Sequence, residues 1–170
     1  MGWSMGGALV LQTITRSPLA RDVESVILDS PVVDWVSTLR LQTKLNRLPA
    51  IVLPAVVTVL SSTWGGRITG QSAPIDMRRL DLVRSAALLR IPILIMHSVD
   101  DGYVPIGASR SLAQARPDLV QLVEFVQAHH VRLWNLDPQR WEGSIDTWLM
   151  ALDAAWSAAS ASTGRRSRRS

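Results

Sequence analysis

The segment that decides the fold reads ILIMHSVDDGYVP and spans residues 93–105. Its first half is a short apolar run with β-branched residues, which is typical of a strand buried on both faces. Its second half is a polar loop with two adjacent carboxylates, Asp100 and Asp101, ahead of Pro105. Ligands of open parallel sheets bind beyond the carboxyl ends of the strands. The sequence therefore predicts a buried strand over residues 91–96 that ends at a functional loop.

Two other runs have the same strand-like character, residues 23–28 and residues 120–126. Helical patterns alternate with these strands and cover residues 5–15, 106–115 and 138–159, the last with Asp137 as a predicted N-cap before Pro138. Such alternation predicts right-handed crossovers and a parallel sheet with helices on both faces. The expected fold class is α/β.

Residues 35–89 do not follow the alternation. The segment is too long for a crossover, and it contains Pro49, Pro54 and Gly70. We predict a helical cap or lid insertion within one domain that spans residues 1–163. Apolar residues of the insertion either shape a substrate pocket or simply cover the sheet; they are Leu48, Ile51, Val52, Leu53, Val56, Val57 and Leu60.

Charge does not point to an acidic partner. The formal net charge of +4 comes from four arginines in the last six residues. Without these arginines, 14 basic residues balance the 14 acidic ones. Residues 164–170 are therefore predicted to be a basic, disordered tail, and no nucleic-acid-binding pattern accompanies them.

Composition excludes several kinds of chemistry. The chain has no cysteine, which rules out disulfides, a thiolate zinc site and a cysteine nucleophile. We expect no metal and no cofactor. The most apolar run, residues 51–60, is shorter than the ~20 residues of a spanning helix, so no membrane span is expected. The first residues lack the features of a secretory signal, which makes the cytoplasm the expected location.

A serine lies between two glycines in the stretch Gly2-Trp3-Ser4-Met5-Gly6. This G-x-S-x-G pattern is typical of a strained strand-to-helix turn that exposes a nucleophilic serine. The pattern alone is equally compatible with a helix start that Ser4 caps. A helix-compatible segment follows, and Gly7 and Ala8 supply small residues where a helix packs closely on a sheet. These neighbours favour the strained turn.

Two adjacent histidines, His129 and His130, follow the last predicted strand and precede Trp134 and Asn135. A surface pair of histidines is by itself more often inert than catalytic. A base must nevertheless reach the serine from a loop at the carboxyl edge of the sheet, and this is such a loop. The two histidines are therefore the candidates for a base.

Together these segments resemble the α/β-hydrolase family, in which a strand ends in His-Gly before an Asp-x-x-Val-Pro loop and a later Gly-His precedes Trp-Asn. The resemblance implies Ser4 as nucleophile, Asp101 as acid and His130 as base, in the order Ser, Asp, His. It also implies the backbone amide of Met5 as an oxyanion-hole donor.

Three residues remain as alternatives to this assignment. Asp100 is the close competitor of Asp101, and Asp29 also ends a predicted strand. His129 is the alternative base and stands where the family has glycine. The family likewise has glycine at Ser98, whereas His97, which precedes the acid loop, is predicted to be structural.

The resemblance covers roughly residues 2–149, the later part of the family's fold. It implies a serine hydrolase of the EC 3.1 or 3.4 class that forms an acyl-enzyme on an ester or peptide substrate. The apolar run over residues 48–60 favours a carboxylesterase or lipase-like activity, with a serine peptidase as the alternative.

The family reaches its serine turn after several strands. We therefore expect the strand that leads into Ser4, and the loop with the second oxyanion donor, to be missing here. The strand over residues 23–28 would then have an exposed edge, which favours pairing with another chain. Either an upstream half completes the sheet, or the chain is inactive alone and acts as an interaction module with a partner chain, or it is a binding protein that merely retains the three residues.

Overall fold

A parallel four-stranded sheet forms the centre of the molecule. The computed structural model describes residues 1–166, and side chains through residue 160. The strands are β1 (Gly2–Trp3), β2 (Val26–Asp29), β3 (Ile93–Ser98) and β4 (Val120–Phe125), and they lie in the order β1-β2-β3-β4. All three neighbouring pairs are parallel. The predicted α/β class is confirmed.

Helices connect the strands in the order that the sequence predicts. Helix α1 is Ser4–Arg16, and a 3₁₀ turn follows at Pro18–Asp22. The insertion contains α2 (Trp35–Leu45), α3 (Val52–Leu60), α4 (Thr63–Thr69) and a 3₁₀ turn at Ala86–Leu88. The remaining helices are α5 (Gly107–Ala115), α6 (Leu133–Leu136) and α7 (Pro138–Arg166).

Two expectations about the strands are wrong. A strand does lead into Ser4, because Gly2 pairs with Leu28 and Trp3 pairs with Asp29 in parallel register. The predicted start of β2 is also three residues early, since the 3₁₀ turn at Pro18–Asp22 closes with a hydrogen bond from the Val23 amide to the Ala20 carbonyl. Two residues are thus enough to align the serine turn with the end of β2.

Both faces of the sheet are buried, and β3 shows how. Ile93 and Ile95 pack in one apolar cluster with residues of α1, α5 and the end of the insertion. Leu94 and Met96 point to the opposite face and pack with Phe125 and residues of α6 and α7. Side chains alternate between the faces of a strand, so a continuous apolar run fills both layers.

The insertion divides into two parts by burial. Helices α2 and α3 contain no buried residue. The last part is different, because Leu82, Ala86 and Leu89 are buried in the cluster that covers the sheet. The apolar residues that the sequence marks in the first part, such as Ile51 and Val56, are exposed or half-buried.

Two expectations concern the end of the chain and the membrane. Helix α7 continues to Arg166, and residues 167–170 of the predicted tail lie outside the described residues. Among the residues that the structure describes, no helix combines the length and the apolar character that crossing a membrane requires.

Candidate active site

Ser4 lies at a strained turn between β1 and α1. Its φ is 48°, in the left-handed region that residues other than glycine rarely adopt. The helix N-cap is Trp3 rather than Ser4, so the serine side chain does not cap the helix. Close packing supports the turn, because a Cβ added to Gly7 would meet Pro31 Cβ at 2.7 Å. The sequence prediction of a strained strand-to-helix turn thus describes this backbone.

Asp101 lies in the loop after β3 and accepts hydrogen bonds at both carboxylate oxygens. The amides of Tyr103 and Val104 donate to Oδ1 at 2.8 and 2.9 Å. His130 Nδ1 donates to Oδ2 at 2.7 Å. Burial opposes ionisation of this carboxyl, but hydrogen bonds from His130, His97 and the two amides outweigh it and hold the pKa of Asp101 far below its ordinary value.

His130 connects the acid to the serine. Its Nε2 lies 2.8 Å from Ser4 Oγ, while its Nδ1 bonds Asp101 Oδ2. Because a carboxylate can only accept, Nδ1 carries a proton, and Nε2 is the nitrogen that can accept the serine hydroxyl. The Tyr103 ring lies against the imidazole, with the centroids 5.3 Å apart. Three residues from three strand ends thus form one continuous hydrogen-bonded chain.

The structure does not bring the alternative acids to His130. Asp29 is buried, where its carboxylate accepts hydrogen bonds from Trp141 Nε1 at 3.1 Å and from Ser30 Oγ at 2.9 Å. Burial raises the pKa of Asp29 above its ordinary value. Asp100 instead accepts hydrogen bonds from the Ser98 hydroxyl and the Gln127 amide.

The alternative base is also elsewhere. His129 has a side chain that is 67% exposed, and its Nδ1 lies 3.1 Å from Asp100 Oδ2. Asp100 and His129 therefore form a second acid–histidine pair beside the first, on the solvent side. The histidine that is hydrogen-bonded to Ser4 is His130, through its Nε2.

His97 is an unexpected member of the site. Its ring is fully buried, with Nε2 3.1 Å from the Val104 carbonyl and 3.3 Å from Asp101 Oδ2. Nε2 must carry the proton, because the carbonyl can only accept, and Nδ1 then accepts from the Ser109 hydroxyl at 2.9 Å. The one sequence signal for this contact is the position of His97 four residues before Asp101. The sequence predicts a structural role for His97 and does not predict the contact.

Solved structures share this arrangement of elements. An esterase of Pyrococcus furiosus matches with a TM-score of 0.56 and 16% identity, over 88% of this chain and 51% of that one. An α/β-hydrolase enzyme from a metagenome of lagoon sediments at Mar Chica, Morocco, matches with a TM-score of 0.57 and 14% identity, over 89% and 60% of the two chains. The chain has an α/β-hydrolase fold. An acylaminoacyl peptidase also matches, with a TM-score of 0.50 and 19% identity, over 76% of this chain and 19% of that one.

These similarities establish the fold and its extent. The chain spans about half the length of the Pyrococcus furiosus esterase that it matches. No protein-family model and no curated protein matches the sequence. Because one fold hosts many functions, the α/β-hydrolase fold alone does not define the reaction. The evidence for a reaction lies in the site residues.

The geometry of the site suits nucleophilic chemistry. A serine hydroxyl is a weak nucleophile unless a neighbouring base accepts its proton, and His130 Nε2 is at the right distance to do so. Asp101 bonds the ring at Nδ1, where a carboxylate can fix the ring and stabilise an imidazolium. Among the described residues, no group of three or more His, Asp or Glu side chains is placed to hold a metal ion.

Proposed function

We propose that this chain is the later part of a serine hydrolase that cleaves an ester bond through Ser4, His130 and Asp101. One observation carries the proposal, the continuous chain of hydrogen bonds from Asp101 through His130 to Ser4, at 2.7 and 2.8 Å. Each residue comes from a different strand end. Such a chain has no evident structural purpose at a strained, partly open turn.

The proposed reaction has two stages. Ser4 Oγ attacks the substrate carbonyl carbon, and its proton moves to His130 Nε2. The carbonyl oxygen becomes an oxyanion, for which the amide of Met5 is a donor because first-turn amides have no acceptor within their own helix. His130 then protonates the leaving alcohol. Water then gives a proton to the same ring and attacks the acyl carbon, and His130 returns that proton to Ser4 Oγ as the bond to the carboxylic acid product breaks.

An ester with an apolar acyl group is the substrate class that we propose. Exposed and half-buried apolar residues of the insertion support it, among them Ile51, which is 71% exposed, and Val56. A peptide substrate is the alternative, and the likeness to an acylaminoacyl peptidase is the observation that favours it. Comparing p-nitrophenyl esters with aminoacyl p-nitroanilides separates the two.

We also propose that structure from outside this chain completes the sheet beside β1. In the described part, β1 lies at the edge of the sheet, and Trp3, Met5 and Leu9 are exposed near it. Such a completion would also supply a second oxyanion donor, whose loss costs on the order of 10²–10³ in turnover. Slow turnover by the chain alone is therefore expected.

The proposed chemistry is tested by labelling the purified chain with a fluorophosphonate probe. The probe phosphonylates an activated serine, so it reports the nucleophile and base without requiring an efficient substrate site. We expect labelling of the wild-type chain. In the wild-type chain, mass spectrometry should place the adduct on Ser4. Ser4→Ala removes the nucleophile and should abolish labelling.

His130→Ala should lower the labelling rate by on the order of 10²-fold or more, because no base then accepts the proton. Asp118→Ala is the control, since this exposed carboxylate pairs with Arg116, and it should label within about threefold of the wild type. Labelling on another residue, or equal effects of the His130 and Asp118 variants, would contradict the proposal.

A further inference from the structure

The turn that carries His130 is conformationally strained. Three residues of the segment 127–131 have positive φ, namely Gln127 at 64°, His129 at 58° and Val131 at 53°. None is glycine, and a β-branched residue such as valine is a clear outlier in this region. A backbone of this kind persists only where its surroundings hold it in place.

Side chains from two other strand ends hold the turn through its backbone amides. The Gln127 amide donates to Asp100 Oδ1 at 2.8 Å, and the Ala128 amide donates to Ser98 Oγ at 3.2 Å. On the other side, the Val131 amide donates to Ser30 Oγ at 3.3 Å. His130 lies between these attachment points.

Asp100 is the centre of this network. Its Oδ1 accepts the Ser98 hydroxyl at 2.6 Å as well as the Gln127 amide, and its Oδ2 lies 3.1 Å from His129 Nδ1. Ser98 and His129 are the two positions where glycine was expected. Both of these side chains contact the same carboxylate, and at His129, where φ is 58°, this contact holds a backbone conformation that glycine adopts without strain.

We propose that Asp100 is a positioning residue, which ties the turn 127–131 to the loop after β3 and so keeps His130 Nε2 within hydrogen-bond distance of Ser4. Its effect on chemistry rests on the proposed function. Asp100 acts through the turn and not on the His130 ring, because it accepts the backbone amide of Gln127 and contacts the side chains of Ser98 and His129. Since a displacement of about 1 Å can cost 10²-fold in rate, a loosened turn has a measurable consequence.

The test compares Asp100→Ala, Asp100→Asn and the double variant Asp100→Ala/His129→Gly in the full chain. Asp118→Ala is the control, since this exposed carboxylate at the opposite end of β4 pairs with Arg116 and not with the turn. Two quantities are measured at a temperature well below the thermal unfolding midpoint of every variant. They are the rate of fluorophosphonate labelling and the hydrogen exchange of the backbone amides in residues 127–131.

Asp100→Ala should lower the labelling rate about tenfold and raise amide exchange in the turn, because a charge-assisted hydrogen bond is lost. Asp100→Asn should have a smaller effect, since its oxygen can still accept the Gln127 amide. His129→Gly should restore most of the lost rate, because glycine adopts positive φ without strain. A merely structural role would lower the unfolding midpoint without this rescue.

The outcomes separate the two proposals. In a wild-type chain that labels, an unchanged labelling rate in Asp100→Ala overturns the positioning role, and so does an equal loss in Asp118→Ala. If the wild-type chain does not label, the proposed function fails and amide exchange alone decides. Raised amide exchange in Asp100→Ala then supports the proposal that Asp100 holds the turn 127–131 in place, and unchanged exchange overturns it.

Discussion

Asp29 and Asp101 stand at or just beyond the ends of neighbouring strands, but their surroundings shift the two pKa values in opposite directions. Asp101 accepts from two histidines and two amides, which together outweigh burial and favour the ionised form. At Asp29 the desolvation that comes with burial is larger than the effect of its hydrogen bonds from Trp141 and Ser30. A charged carboxylate is what stabilises an imidazolium during proton transfer. This contrast favours Asp101 as the acid.

Separate asparagine substitutions test that assignment. Asp101→Asn should lower the fluorophosphonate labelling rate by on the order of 10²–10⁴, because the neutral amide can select the wrong tautomer of His130. Asp29→Asn should label within about threefold of the wild type, since its amide oxygen can still accept a hydrogen bond from Trp141 or Ser30. Loss of labelling in the Asp29 variant alone would reverse the assignment.

At the scale of elements, the contact between α1 and the loop after β2 sets the serine turn. A Cβ on Gly7 would lie 2.7 Å from Pro31 Cβ and 3.1 Å from Pro31 Cα, whereas a Cβ on Gly6 would meet nothing within 4 Å. Of the two adjacent glycines near the start of α1, Gly7 is therefore the one that the packing requires. The second glycine of the G-x-S-x-G pattern has no such steric role in the described structure.

Alanine substitutions at these adjacent glycines should diverge. Gly7→Ala should lower the free energy of unfolding by about 1–3 kcal/mol, because the methyl group forces α1 away from Pro31. Gly6→Ala should be neutral or stabilising by up to about 1 kcal/mol, as expected for alanine in place of glycine in a helix. Urea unfolding measures both values, and equal losses would show that the turn tolerates neither side chain.

Sequence reasoning succeeded where a pattern repeats locally and failed where contacts are distant. Apolar runs predicted β2, β3 and β4, because a strand buried on both faces needs such a run. The two residues of β1 carry no periodicity, and their pairing with Leu28 and Asp29 depends on the turn that follows. The contact of His97 with Asp101 likewise depends on loop geometry that spacing alone does not define.

At the scale of the whole molecule, the insertion joins two parts with different physical roles. Its last residues belong to the body, because Leu82 and Leu89 are fully buried beside Val26, Leu28 and Ile93 of the sheet. Its first two helices, α2 and α3, contain no buried residue, whereas Gly65 and Gly66 of α4 are buried. The predicted insertion, residues 35–89, therefore includes a segment that covers the sheet, and a lid stays a prediction for α2 and α3.

Substitutions in the two parts should separate stability from substrate preference. Leu89→Ala should cost about 2–5 kcal/mol of unfolding free energy, because it leaves a cavity in the layer over the sheet. Ile51→Ser should change stability by less than about 0.5 kcal/mol, since Ile51 is 71% exposed. If the exposed helices contact an acyl chain, Ile51→Ser should also lower kcat/KM for long-chain relative to short-chain p-nitrophenyl esters by about threefold or more. An unchanged chain-length profile with intact stability would show that this surface does not face the substrate, and the acyl specificity would then have to come from structure outside these helices.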